Sequence, residues 1–185
     1  MDGHGPFTVR QLRAVQQELA GVIPHMEQTE VTNIPADDKG LGLVDNLARS
    51  LASGNTLVCL WDTGKEIGHY IALVNRPSGE PDQARTIEVF DPEAADEQAG
   101  AFPPLEYVTA RNYGNNANIR EVIRKAVEAM DSAGVPTGLS YAPWGPQPPS
   151  TNSCGLWCLV RSALREMPPE EFFSMFRGRP GPFAA

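Results

Sequence analysis

Two kinds of spacing share this chain. From 7 to 21, "FTVRQLRAVQQELAG", apolar Leu12, Val15 and Leu19 recur at helical intervals. Thr8 and Gln11 have capping-box spacing, Phe7 can staple onto Leu12, and Gly21 stands where a C-terminal cap belongs. The spacing predicts a second amphipathic helix over 43–53, closed by Gly54 and Asn55. Then come compact apolar runs bounded by turn residues: "TLVCLW" (56–61), "HYIALVN" (69–75) and "RTIEVFD" (85–91). Runs of this length between Gly, Pro and Asp clusters read as strands, and their short connections predict an antiparallel meander.

Helical periodicity returns at 118–130, with Asn118 and Glu121 at capping spacing and Val122, Ile123, Ala126, Val127 and Met130 on one face. One more strand is expected at 139–144, then a strongly apolar helix at 154–167, entered through Asn152 and Ser153. The pattern predicts an α+β fold: a small, mainly antiparallel central sheet with helices packed around it.

The 185 residues, 41% hydrophobic, suffice for one domain with a real core, expected to span 1–185 with a frayed end at 178–185. A net charge of −8 disfavours non-specific nucleic-acid binding, so activation by DNA is not expected. Arg161, Arg165, Arg177 and Arg179 are the candidates for a local basic face that would oppose this. No apolar run reaches membrane-spanning length, and the first residues lack a signal-peptide pattern. Cys59, Cys154 and Cys158 have no framework spacing and fit free thiols in a reducing, intracellular environment.

The candidate chemistry gathers around "GPQPPSTNSCGLWCLV" (145–160), where a stiff polar loop delivers Cys154 to the start of a helix. Unpaired N–H groups there favour a negative sulfur. Gly155 after it would let a substrate approach the backbone. Gln147, held by Pro148 and Pro149, offers a neutral amide donor for an oxyanion. A base is needed. His4 lies near the chain start and His25 follows a proline, whereas His69 opens a strand. If the strands of His69 and Asp91 are antiparallel neighbours, the two side chains meet at one end of the sheet. Asp91 would then orient His69, and His69 would take the Cys154 proton. Each residue also has an ordinary reading: a small core cysteine, a strand-end histidine, an Asp-Pro turn, a polar loop residue. Cys59 and Cys158 read as core, and the C-x-x-x-C spacing matches no zinc or redox motif. No cofactor and no metal is called for.

The order His69 in "HYIALVN", Asp91 in "VFDP" and Gln147 before "NSCGLWC" resembles the adenovirus-type (adenain-like) cysteine proteases and the related SUMO-specific proteases. Gln147 stands seven residues before Cys154, similar to the adenovirus-type spacing. The resemblance runs from about Leu57 to Leu164; Tyr70 departs from it, standing where the family usually has Trp. It implies a thiol protease with a Cys154–His69–Asp91 triad and Gln147 as oxyanion donor. It further implies a protein substrate cut at small, Gly-containing sites, with a viral protease maturing capsid or core precursors in the virion or host cell as the best fit. Alternatives are a protease for ubiquitin-like modifiers, an acetyltransferase effector on a related scaffold, and a binding module that has kept the fold.

Overall fold

A computed structural model describes residues 7–35, 38–64, 67–92, 119–142, 145–146 and 152–176. Strands β1 (Thr29–Pro35), β2 (Thr56–Gly64), β3 (Ile67–Pro77), β4 (Arg85–Phe90) and β5 (Thr137–Tyr141) form one sheet in chain order. Helices α1 (Val9–Ala20), α2 (Val44–Ala52), α3 (Ile119–Ser132), α4 (Cys154–Ala163) and α5 (Pro169–Phe176) pack around it, making an α+β fold. The central β2–β3–β4 meander is antiparallel as expected. The sheet as a whole is mixed rather than mainly antiparallel, because β1 runs parallel to β2 and β5 parallel to β4. Both parallel strands enter through helical connections: α2 lies between β1 and β2, and α3 precedes β5. A parallel pair needs such a crossover, whereas the meander needs only turns.

Strand alternation sorts the core into two layers. Leu57, Cys59 and Trp61 of β2 and Ile71 and Leu73 of β3 face Leu47, Leu51, Val122, Ile123 and Met130 of α2 and α3. Val58, Leu60, Tyr70, Ala72 and Val74 face Leu12, Trp157, Cys158 and Phe172 of α1, α4 and α5. With helices on both faces, both side-chain sets are buried, which explains the unbroken apolar runs. Each fully buried large side chain contributes roughly 1.5–3 kcal/mol. At α1, Thr8 and Gln11 form the expected capping box: the Thr8 N–H donates to Gln11 Oε1 at 2.9 Å and the Gln11 N–H to Thr8 Oγ1 at 3.2 Å. The Asn118 cap and the frayed tail lie outside the described residues.

Helix α4 ends at Ala163, four residues short of the expected 167, and Arg161 supplies the reason. Its guanidinium donates to the carbonyls of Leu164 at 2.7 Å and Met167 at 3.2 Å, satisfying backbone beyond the last helical turn. The same group makes a two-pronged ion pair with Glu88 of β4, both contacts at 2.8 Å, and stacks over the Phe172 ring. Arg161 and Glu88 are both buried, so Arg161 cannot belong to the basic surface considered from sequence. Removing one partner of such a pair costs roughly 3–5 kcal/mol, because the other charge stays buried alone.

Candidate active site

Three elements deliver the candidate triad. His69 lies near the start of β3, directly opposite Trp61 of β2, beside a register shift between Asp62 and Gly64. Asp91 follows the last residue of β4. Because Ala72 pairs with Phe90, the start of β3 lies beside the end of β4. His69 Nε2 and Asp91 Oδ1 are 2.7 Å apart, and both side chains are buried. Cys154 is the first residue of α4, with Ser153 as its N-cap. Its thiol lies close enough to the His69 imidazole to be among the groups that raise the histidine pKa.

The electrostatics favour a charged imidazole. Burial alone would lower the His69 pKa, but the Asp91 charge and hydrogen bond, with the Cys154 contact, hold it well above the ordinary histidine value. An imidazolium next to a thiol stabilises the thiolate by ion pairing. The other two thiols have their pKa raised by burial. Burial, with the neighbouring Cys154, Asp91 and Cys59 adding to it, pushes Cys158 well up, and burial with Glu30 does the same to Cys59. All three cysteines are free.

Two glycines define the approach to Cys154. A Cβ on Gly145 would come within 2.3 Å of the Pro92 backbone and 2.4 Å of the Asp91 carbonyl oxygen. Gly145 therefore lies flush on the backbone that carries the acid, an approach open only to glycine. Gly155 has a different role from the one its position suggested. Its Cα faces Leu12 of α1 and the Tyr70 ring, with a Cβ reaching 2.9 Å from Leu12 Cδ2. The glycine serves helix packing rather than substrate approach.

The structure thus brings together His69, Asp91 and Cys154. Gln147 lies outside the described residues. His25 sits in a 3-10 turn, Pro24–Gln28, and is no part of this group. Trp61 and Gly145 are neighbours of the site that the sequence did not single out; the Gly-Pro pair before Gln147 was the only signal for the second. Among the described residues, no cluster of three metal-ligating side chains occurs, and no helix is long and apolar enough to cross a membrane. Compared with family models, characterised proteins and solved structures, the chain matches none.

Proposed function

We propose that this chain is a cysteine peptidase of the adenovirus-protease type. The observation that carries the reading is the buried pair in which Asp91 Oδ1 stands 2.7 Å from His69 Nε2, with the Cys154 thiol close enough to help raise the histidine pKa. Each group then has a defined task. His69 takes the Cys154 proton, and the sulfur attacks a peptide carbonyl. The carbonyl oxygen becomes an oxyanion beside the first N–H groups of α4, to which the helix itself offers no acceptor. Collapse of this intermediate breaks the C–N bond, and His69 passes its proton to the leaving amine. A water, deprotonated by His69, then attacks the thioester and releases the acid and the thiolate. Asp91 keeps the ring oriented and balances the imidazolium throughout.

Gln147 is assigned the side-chain oxyanion donor on its position seven residues before Cys154. The finer reading is an endopeptidase acting on capsid or core precursors at Gly-containing sites of a viral system, and it rests on the family resemblance. The net charge of −8 and the burial of Arg161 argue against DNA as an activator.

The test is cleavage of fluorogenic Gly-Gly peptides and of candidate structural precursors by the wild-type chain, Cys154→Ala and His69→Ala. Cleavage by the wild type and its loss, by about 10²-fold or more, in both variants supports the reading. Processing confined to ubiquitin-like precursors redirects it to modifier proteases. Acetyl transfer from acetyl-coenzyme A without hydrolysis overturns it.

A further inference from the structure

The three elements that carry the candidate triad meet a second time, away from it. Arg76 lies on β3 seven residues after His69, Glu88 on β4 three residues before Asp91, and Arg161 on α4 seven residues after Cys154. Arg161 grips both carboxylate oxygens of Glu88 at 2.8 Å. Arg76 Nη2 reaches Glu88 Oε2 at 3.1 Å. Glu88 and Arg161 are essentially solvent-free, while Arg76 is 19% exposed. One carboxylate thus joins two guanidiniums, and each of the three charges belongs to a different arm of the active site.

We propose that the Arg76–Glu88–Arg161 cluster is a positioning device for catalysis, setting the depth and rotation of α4 against β3 and β4 so that Cys154 faces His69. The proposal rests on the peptidase reading. Its physical basis is directionality. The apolar contacts of α4 with the sheet, through Trp157, Cys158 and Leu159, fix how tightly the helix packs, but they tolerate small slides and rotations. A planar guanidinium held at both oxygens of a buried carboxylate tolerates neither. Arg161 lies about two helical turns from Cys154, so a shift at the ion pair is carried to the thiol by a rigid rod. The further contacts of Arg161, to the Leu164 and Met167 carbonyls and to the Phe172 ring, fix the guanidinium itself. A buried charge cluster of this kind adds little stability over an apolar replacement, so orientation is the role left to it.

The test separates orientation from folding. Glu88→Leu with Arg161→Met replaces the pair by apolar side chains of similar size, and Arg76→Met removes only the half-open arm. Thermal unfolding, peptide turnover and the rate of Cys154 alkylation by iodoacetamide near pH 6.5 are measured on each, with Arg161→Lys as the conservative variant. The expected result for the double variant is cooperative unfolding with kcat lowered about 10- to 100-fold, KM little changed and alkylation slowed, since misplacement on the scale of an ångström costs this much. Arg76→Met should show a smaller change in the same direction, and Arg161→Lys should recover part of the loss. Wild-type kcat and wild-type alkylation in the folded double variant overturn the proposal. Should the double variant not fold, Arg76→Met decides by the same two readouts. If the wild type cleaves no peptide, the peptidase reading fails. Alkylation then decides the positioning role alone: slower labelling in the folded variants supports it, and unchanged labelling overturns it.

Discussion

His69 Nε2 lies 2.7 Å from Asp91 Oδ1 at the end of the sheet where β3 begins and β4 stops, and the pair is sealed from solvent. The pair is held by position: the β3–β4 register brings the two residues together. The carboxylate pins the ring on one side, and the Cys154 thiol is near enough to add to the raised histidine pKa.

The first prediction follows from the raised pKa of His69. A histidine whose folded value lies above its unfolded value, about 6.5, binds its proton more tightly in the folded protein. The resulting stability is fully present below pH 6.5 and is lost as pH rises through the folded value, which lies well above it. Asp91→Asn removes the carboxylate and leaves burial, which lowers the histidine value, as the main remaining influence. The wild type should therefore exceed Asp91→Asn in Tm most on the acid side of pH 6.5, with the gap narrowing as pH rises. Observed by NMR, the His69 ring should show no titration near 6.5 in the wild type and a downward-shifted one in the variant. A ring titrating near 6.5 in both would mean that the pair is not ionised in solution.

The second prediction concerns Gly145. Its missing Cβ is opposed by backbone atoms, the Pro92 carbonyl group at 2.3 Å and the Asp91 oxygen at 2.4 Å, and backbone cannot swing aside as a side chain can. Gly145→Ala should therefore push position 145 off the Asp91–Pro92 backbone, destabilising the protein by about 1–3 kcal/mol and lowering turnover. Gly155→Ala meets mainly the flexible Leu12 side chain at 2.9 Å, so its cost should be smaller and relieved by Leu12→Val. Thermal unfolding and peptide turnover of the three variants check this. Equal effects of the two alanines would show that Gly145 is not packed on the acid's backbone.

What could be read in the sequence follows from how local each signal is. Strands β2 and β3 were legible because burial on both faces made them unbroken apolar runs. The His69–Asp91 pairing was legible because a short turn between β3 and β4 forces antiparallel neighbours. Strand β1, "TEVTNIP", interleaves polar residues, and its partner β2 lies beyond α2. Its place depends on a distant segment, and no local pattern marks it. Helix α5 is short, beginning at Pro169 directly after Pro168, so it has too few turns to show a periodicity. Glu88 and Arg161 each look solvent-facing when read alone. Only their meeting across 73 residues makes them a buried pair.

The last prediction separates the three thiols. Cys154 keeps 6% of its surface exposed, whereas Cys59 and Cys158 have none. It also stands first on α4, near the His69 imidazole, whose pKa is held above the ordinary histidine value. Cys158 lies one turn deeper among Trp157, Phe172 and Phe173, and Cys59 lies in β2 under α2 and α3; burial pushes both thiols up, away from the thiolate. Brief iodoacetamide treatment of the native protein near pH 6.5 should alkylate Cys154 first, with peptide turnover lost in step. His69→Ala should slow that labelling, since the neighbouring cation is gone. Cys154→Ser should lose nearly all turnover, because a hydroxyl is a far weaker nucleophile in a site that activates a thiolate. Cys158→Ser places a hydroxyl in an apolar layer and should cost about 1–3 kcal/mol of stability while retaining turnover below the new Tm. Peptide mapping by mass spectrometry reads the order directly. Labelling of Cys59 or Cys158 ahead of Cys154, or full turnover with Cys154 carboxamidomethylated, would remove Cys154 as the nucleophile and the peptidase assignment with it.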